Sequence, residues 1–207
     1  MWTMIRIPAL YPILDASLCP DFDTQRRYAE ELAAAGVTLL QYRDKSNNVR
    51  RIVEAGQALR ELLPPPFRLI MNDRADLCVL CGFDGVHLGQ DDLSPAAARR
   101  IIGGELWLGM STHNTTQLAE ADKTDADYLA IGPVFETRSK HNPDPVIGLE
   151  GIRAARAITE KPLVAIGGIT RENARAVLDA GADSVAVISD LCGEPGKSAR
   201  EFSAIFR

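Results

Sequence analysis

The chain has 207 residues, 46% of them hydrophobic and 25% charged, with a net charge of -5. That length suits one domain and can bury a substantial core without disulfides or a structural metal. The acidic balance excludes a general nucleic-acid binder, which carries a basic excess, and no apolar run reaches the length of a membrane span. Met1 to Leu10 lacks the apolar stretch of a secretory signal, so the expected setting is the cytoplasm. Four cysteines fit that compartment better than a disulfide framework does.

Strand and helix signals alternate along the whole chain. A strand at Leu10–Leu14 precedes a helix from Thr24 to Ala35, which carries Tyr28, Leu32 and Ala35 at helical spacing and stops at Gly36. A strand at Val37–Tyr42 precedes a helix from Val49 to Leu63, ended by Pro64-Pro65-Pro66. After a strand at Phe67–Met71 comes an apolar helical stretch holding Cys78 and Cys81. That CxxC has no second CxxC and no His pair at ligand spacing, so both cysteines read as core packing. A strand at Gly85–Leu88 leads to Ser94-Pro95, an N-cap with proline at the first helical position. Strands at Leu106–Gly109, Tyr128–Ile131, Leu163–Ile166 and Ser184–Ile188 follow. Their helices span Thr115–Ala121, Leu149–Ile158, Thr170–Ala180 and Ser198–Phe206. The strands barely alternate with polar residues, the mark of a parallel sheet buried on both faces. Eight strand–helix units predict a closed (β/α)8 TIM barrel over residues 1–207 as a single domain. The alternative, a doubly wound open sheet, lacks a GxGxxG after any strand.

In such barrels the reacting groups gather just beyond the C-terminal strand ends. Strand two ends in Gln41, Arg43 and Lys45, which alternate and so face one side, an arrangement suited to a polyanion. Strand three ends in Asn72-Asp73-Arg74 and strand four in Gly89-Gln90-Asp91-Asp92. Carboxylates beside cations make sense if they hold Mg²⁺, which binds one or two carboxylates plus substrate phosphates. One of Asp91 and Asp92 is expected simply to lead into the Ser94 helix. Strand five leads to Ser111 and His113, each a donor in the mouth or a loop residue. The irregular stretch after strand six carries Thr137, Ser139 and Lys140, and its 137–145 portion reads as a mobile anion-binding lid. Gly167-Gly168 after strand seven and Ile188-Ser189 after strand eight fit an amide-lined phosphate site. Two anion sites are therefore expected to face each other, without a Ser-His-Asp or Cys-His arrangement for covalent catalysis.

Taken in order, QYRDK at 41–45, NDR at 72–74, GVHLGQDD at 85–92, GMSTH at 109–113, DYLAIGPVFETRSK at 127–140, AIGGIT at 165–170 and AVIS at 186–189 resemble the thiamin phosphate synthase family. The resemblance covers Tyr11 to about Ser189. It implies a transferase of thiamin biosynthesis that joins 4-amino-5-hydroxymethyl-2-methylpyrimidine diphosphate to hydroxyethylthiazole phosphate or its carboxylated form. Pyrophosphate leaves first, and the thiazole nitrogen attacks the resulting cation. By motif, Gln41, Arg43, Lys45 and Asn72 would bind the pyrimidine diphosphate, and Asp73 and Asp92 would hold Mg²⁺. Ser111 would sit near the leaving pyrophosphate and Lys140 would help neutralise it. Thr137 and Ser139 would reach substrate phosphate, with Gly168, Ile188 and Ser189 at the second site. Arg43, Lys45, Lys140 and Ser111 would be the catalytic set. The implied partners are these small molecules, not nucleic acid or membrane, and a homo-oligomer is left open.

Two departures from the family pattern stand out. Ser139 replaces a common threonine, and Ile13-Leu14-Asp15 replaces the usual Thr-Asp end of strand one, so the resemblance assigns that strand no role. The competing readings are a thiazole tautomerase-like paralogue and a non-catalytic barrel that binds a thiamin precursor. Neither needs Asp73, Asp92 and the QxRxK pattern together.

Overall fold

Eight parallel strands form one closed ring in the computed structural model, which describes residues 5–137 and 144–207. The strands are β1 (Leu10–Asp15), β2 (Leu39–Arg43), β3 (Arg68–Asn72), β4 (Gly85–Leu88), β5 (Trp107–Thr112), β6 (Tyr128–Ile131), β7 (Leu163–Ile166) and β8 (Ser184–Val187). Strand β1 pairs with β2 through Ile13 opposite Gln41 and with β8 through Leu10 opposite Val185, which closes the barrel. The outer layer is α1 (Phe22–Ala34), α2 (Val49–Leu62), α3 (Ala75–Leu80), α4 (Pro95–Ile102), α5 (Thr115–Asp122), α6 (Gly148–Arg156), α7 (Ala174–Asp179) and α8 (Pro195–Ile205).

The two-residue period of each strand divides the core in two. Leu14, Leu40, Tyr42, Leu69, Val86 and Leu108 pack outward beneath the helices. Tyr11, Ile13, Leu39, Ile70, Trp107, Tyr128 and Val164 fill the barrel interior. Cys78 and Cys81 are buried free thiols, Cys78 within the outer cluster at 0% exposure, as packing requires.

Four helix starts are capped by side chains: Asp21 accepts from Thr24 N, Asn48 from Arg51 N, Ser94 from Ala97 N and Asn114 from Gln117 N. The Asp21 cap starts α1 at Phe22 instead of Thr24. Helix α7 is shorter than its periodicity predicts because Thr170–Asn173 forms a turn, in which Asn173 Oδ1 accepts from Thr170 N. Helix α8 begins earlier than predicted, with Pro195 in its first turn. Strand β5 runs on to Thr112, so Ser111 is a strand residue and not a loop residue.

The end of the barrel away from the C-terminal strand ends repeats one device three times. Asp84, Asp127 and Asp183, each just before an even-numbered strand, accept the backbone N–H of Leu69 (2.8 Å), Leu108 (2.7 Å) and Leu163 (2.7 Å). The same carboxylates receive Arg60, Arg99 and Arg156 from α2, α4 and α6 at 2.9, 2.5 and 2.8 Å. Arg60 and Arg99 also donate to the carbonyls of Leu63 and Leu106, in the helix-to-strand connections.

Candidate active site

The C-terminal strand ends open onto a cavity of about 520 Å³, ample for small molecules. Gln41, Arg43 and Lys45 line it together, as their alternation predicts. Asn72, Asp73 and Asp92 line the same side of the ring, on β3 and the β3 and β4 exits. Ser111 and Thr137 come from β5 and the β6 exit, and Gly168, Ile188 and Ser189 close the circuit at β7 and β8. Ser139 and Lys140 lie outside the described residues, as does the 138–143 portion of the expected lid.

Among the described residues, the mouth cations Arg43 and Lys45 are both paired. Arg43 Nη1 donates to Asp15, whose carboxylate also accepts Ser17 N at 2.9 Å and Ser17 Oγ at 2.6 Å. The β1 end is therefore structural, because its buried carboxylate fixes the direction of Arg43. Lys45 Nζ pairs with Asp73, and Asp73 in turn neighbours Asp92. Burial raises the Asp92 carboxyl above the usual carboxylate range, the Gly89 N–H at 2.7 Å opposes that shift, and the Asp73 carboxylate adds to it. Asp92 thus faces the cavity, while Ser94 itself caps α4. Asp73 has a φ of 64°, a left-handed conformation that costs a non-glycine residue about 1 kcal/mol and is found at functional sites. Its N–H donates to His87 O at 2.7 Å, which helps hold that conformation.

No cluster of three or more His, Cys, Asp or Glu side chains suited to a metal forms among the described residues. The donor set available to a cation is two crowded carboxylates. That suits an ion which keeps waters and takes substrate oxygens, such as Mg²⁺, better than a metal caged by protein.

Below the mouth a chain of hydrogen bonds crosses the barrel interior. Gln41 Nε2 donates to Tyr11 Oη at 3.1 Å, and Tyr11 Oη meets Tyr128 Oη at 2.8 Å. Tyr128 Oη meets His87 Nδ1 at 3.0 Å, and His87 Nε2 meets Ser111 Oγ at 2.8 Å. Burial pushes the His87 pKa down to about 4 and raises both tyrosine hydroxyls, so all three rings are neutral at pH 7. Gly109 makes the room: a Cβ there would lie 2.1 Å from Tyr128 Cζ and 2.4 Å from His87 Nδ1. Sequence reasoning missed Tyr11, Tyr128 and His87. The signal was His87, a polar ring at an inward position of an otherwise apolar strand.

His113 Nδ1 donates to Gly132 O at 2.8 Å and lies 3.4 Å from Asp144, so it ties β5 to both ends of the β6–α6 connection. Asn72 Nδ2 is buried without a partner among the described residues, a donor on a cavity-lining side chain. At the β7–β8 side, the amides of Gly168 and Ser189 donate to no other described residue. Glycine at 167 and 168 is demanded first by packing. A Cβ at Gly167 would meet Pro133 Cα at 2.6 Å, one at Gly168 would meet Glu136 O at 2.4 Å, and both have positive φ.

Residues 10–191 match the thiamine monophosphate synthase family. A thiamine-phosphate synthase of Koribacter versatilis is 56% identical over 204 residues, covering 97% of each chain. One of Chloroflexus aurantiacus is 43% identical and covers 87% of this chain and 83% of its own. Among solved structures, the thiamine phosphate pyrophosphorylase of Pyrococcus furiosus superposes with a TM-score of 0.84 at 36% identity, covering 95% of this chain and 94% of its own. The chain belongs to the thiamine monophosphate synthase family and is an enzyme of thiamin biosynthesis.

Proposed function

We propose that the chain condenses 4-amino-5-hydroxymethyl-2-methylpyrimidine diphosphate with hydroxyethylthiazole phosphate to give thiamin phosphate and pyrophosphate, or with its carboxylated form, which in addition loses CO₂ and takes up a proton at the vacated ring carbon. The observation that carries this reading is the asymmetry of a single cavity. One wall holds Lys45, Asp73, Asp92 and the unpartnered Asn72 amide, while the other offers the amides of Gly168 and Ser189. A diphosphate suits the first wall and a monophosphate the second, which sets the reacting carbon and nitrogen between them.

Asp73 and Asp92 would hold Mg²⁺ on the diphosphate side, where it would supply positive charge to the departing oxygens, an effect worth several kcal/mol in water-poor sites. Arg43, directed by Asp15, and Lys45 would stabilise the same charge as the C–O bond breaks and its electron pair leaves with pyrophosphate. The pyrimidine ring stabilises the cation left behind. The lone pair of the thiazole nitrogen then forms the C–N bond, and no proton has to be removed. Ser111 would donate to the leaving group. Lys140, Thr137 and Ser139 carry their phosphate roles from the family motif alone, and the cytoplasm remains the expected setting.

Purified protein given both substrates and Mg²⁺ should release thiamin phosphate and pyrophosphate in equal amounts. Tautomerase activity without condensation would favour the paralogue reading. A sensor would bind thiazole phosphate equally well as the Asp73→Ala variant and would have no turnover to lose.

A further inference from the structure

The family motif puts Gln41 and Ser111 at the substrate, and both line the cavity, but the buried rings between them are left without a role. Each link of Gln41–Tyr11–Tyr128–His87–Ser111 has one donor and one acceptor. Each tyrosine has one hydroxyl proton and a neutral imidazole has one N–H, so if neither buried hydroxyl proton is to lack an acceptor, the links all point the same way. Only two arrangements satisfy every link and also give both buried tyrosine protons an acceptor. In the first, Gln41 donates to Tyr11, Tyr11 to Tyr128, Tyr128 to His87 Nδ1, and His87 Nε2–H to Ser111. Ser111 then has its proton free to donate into the cavity, and Gln41 offers its carbonyl oxygen. In the second, every proton is reversed: Ser111 shows only lone pairs and Gln41 its amide N–H groups.

We propose that Tyr11, Tyr128 and His87 are positioning residues that couple the two ends, so that an anion held by Ser111 sets Gln41 as an acceptor for a ring-borne N–H donor. An anion can only accept from Ser111, so it selects the first arrangement. That arrangement matches an aminopyrimidine whose diphosphate lies at the other end of the relay. The burial of all three rings keeps water from completing the links separately, since Tyr11 is 1% exposed, Tyr128 0% and His87 8%. The identity of the two ligand ends rests on the proposed function, whereas the direction of the relay does not.

Nitrogen-15 NMR of histidine-labelled protein reads the relay directly, because the two neutral tautomers have distinct ring-nitrogen shifts. The chain has three histidines, and loss of a signal in His87→Gln identifies the one required. With inorganic pyrophosphate and Mg²⁺ present, His87 should carry its proton on Nε2. A proton on Nδ1, or a charged ring, would overturn the proposal. Tyr128→Phe cuts the relay between His87 and Gln41, so with the anion bound it should leave the proton on Nε2 and lower kcat roughly tenfold, less than the hundredfold or more that follows removal of a donor outright, with KM for thiazole phosphate unchanged. A folded Tyr128→Phe with wild-type kcat would also overturn it. Should that variant fail to fold, His87→Gln, whose amide reaches the Nε2 position, should retain more activity than His87→Asn, and equal rates would count against the relay. A wild-type chain that makes no thiamin phosphate yet keeps His87 protonated on Nε2 would sink the proposed function and leave the relay standing.

Discussion

The two ends of the barrel use the same charged residue types to opposite effect. At the closed end each of three carboxylates has a guanidinium and a backbone N–H of its own, so Asp84, Asp127 and Asp183 tie helix to strand. At the mouth, Asp73 and Asp92 share one lysine and crowd each other, and burial raises the Asp92 carboxyl. Satisfied pairs hold the ring together. Under-satisfied ones store a demand for positive charge that a ligand can meet.

That contrast can be broken from either side. The largest expected effect is at the mouth: Asp73→Asn should lower kcat by roughly a hundred- to a thousandfold in Mg²⁺ while leaving the denaturant midpoint unchanged or raised, because it relieves carboxylate crowding. Steady-state rates and a urea titration on one preparation check both halves. At the closed end, Asp127→Ala leaves the Leu108 N–H unpaired and Arg99, whose side chain is 11% exposed, without its carboxylate. It should cost about 3 kcal/mol of stability and leave kcat of the folded fraction untouched. Equal losses of activity in the two variants would erase the distinction between the ends.

A smaller effect is expected from pH. The His87 pKa lies near 4 in the folded protein against an ordinary value of 6.5. The unfolded chain therefore binds the extra proton first as pH falls, and stability is lost between pH 6.5 and 4. At pH 4.5 this amounts to about 2–3 kcal/mol relative to pH 7. Comparing urea midpoints at the two pH values in wild type and His87→Gln isolates it, since the variant should lose that part of the slope. The smallest effect belongs to neither end: Cys78→Ala should cost about 1 kcal/mol by lost packing and change neither activity nor its response to chelators beyond that of the wild type.

Much of the ring was legible because parallel strands buried on both faces announce themselves as short apolar runs, and the cavity-facing period of Gln41, Arg43 and Lys45 followed from strand geometry alone. Pairings across the ring were not legible. Asp15 reads as an odd strand end until Arg43 stands beside it on the neighbouring strand. Asp84, Asp127 and Asp183 each read as a turn residue, and only their common backbone acceptor role reveals a repeat. Tyr11 and Tyr128 read as core by size, because nothing local tells a buried ring from a buried ring with a partnered hydroxyl. Ser111 lies past the apolar run at Leu106–Gly109 although β5 continues to Thr112, because its polar side chain faces a polar interior and so interrupts the apolar signal.

The most direct test of the divided mouth is a crystal structure of the chain with the pyrimidine diphosphate and Mn²⁺ in place of Mg²⁺, the metal located by anomalous scattering. The divided mouth predicts one metal peak bridging Asp73, Asp92 and the diphosphate, with the phosphates towards Arg43 and Lys45. A diphosphate seated on the Gly168 and Ser189 amides, or a metal that touches neither Asp73 nor Asp92, would contradict it.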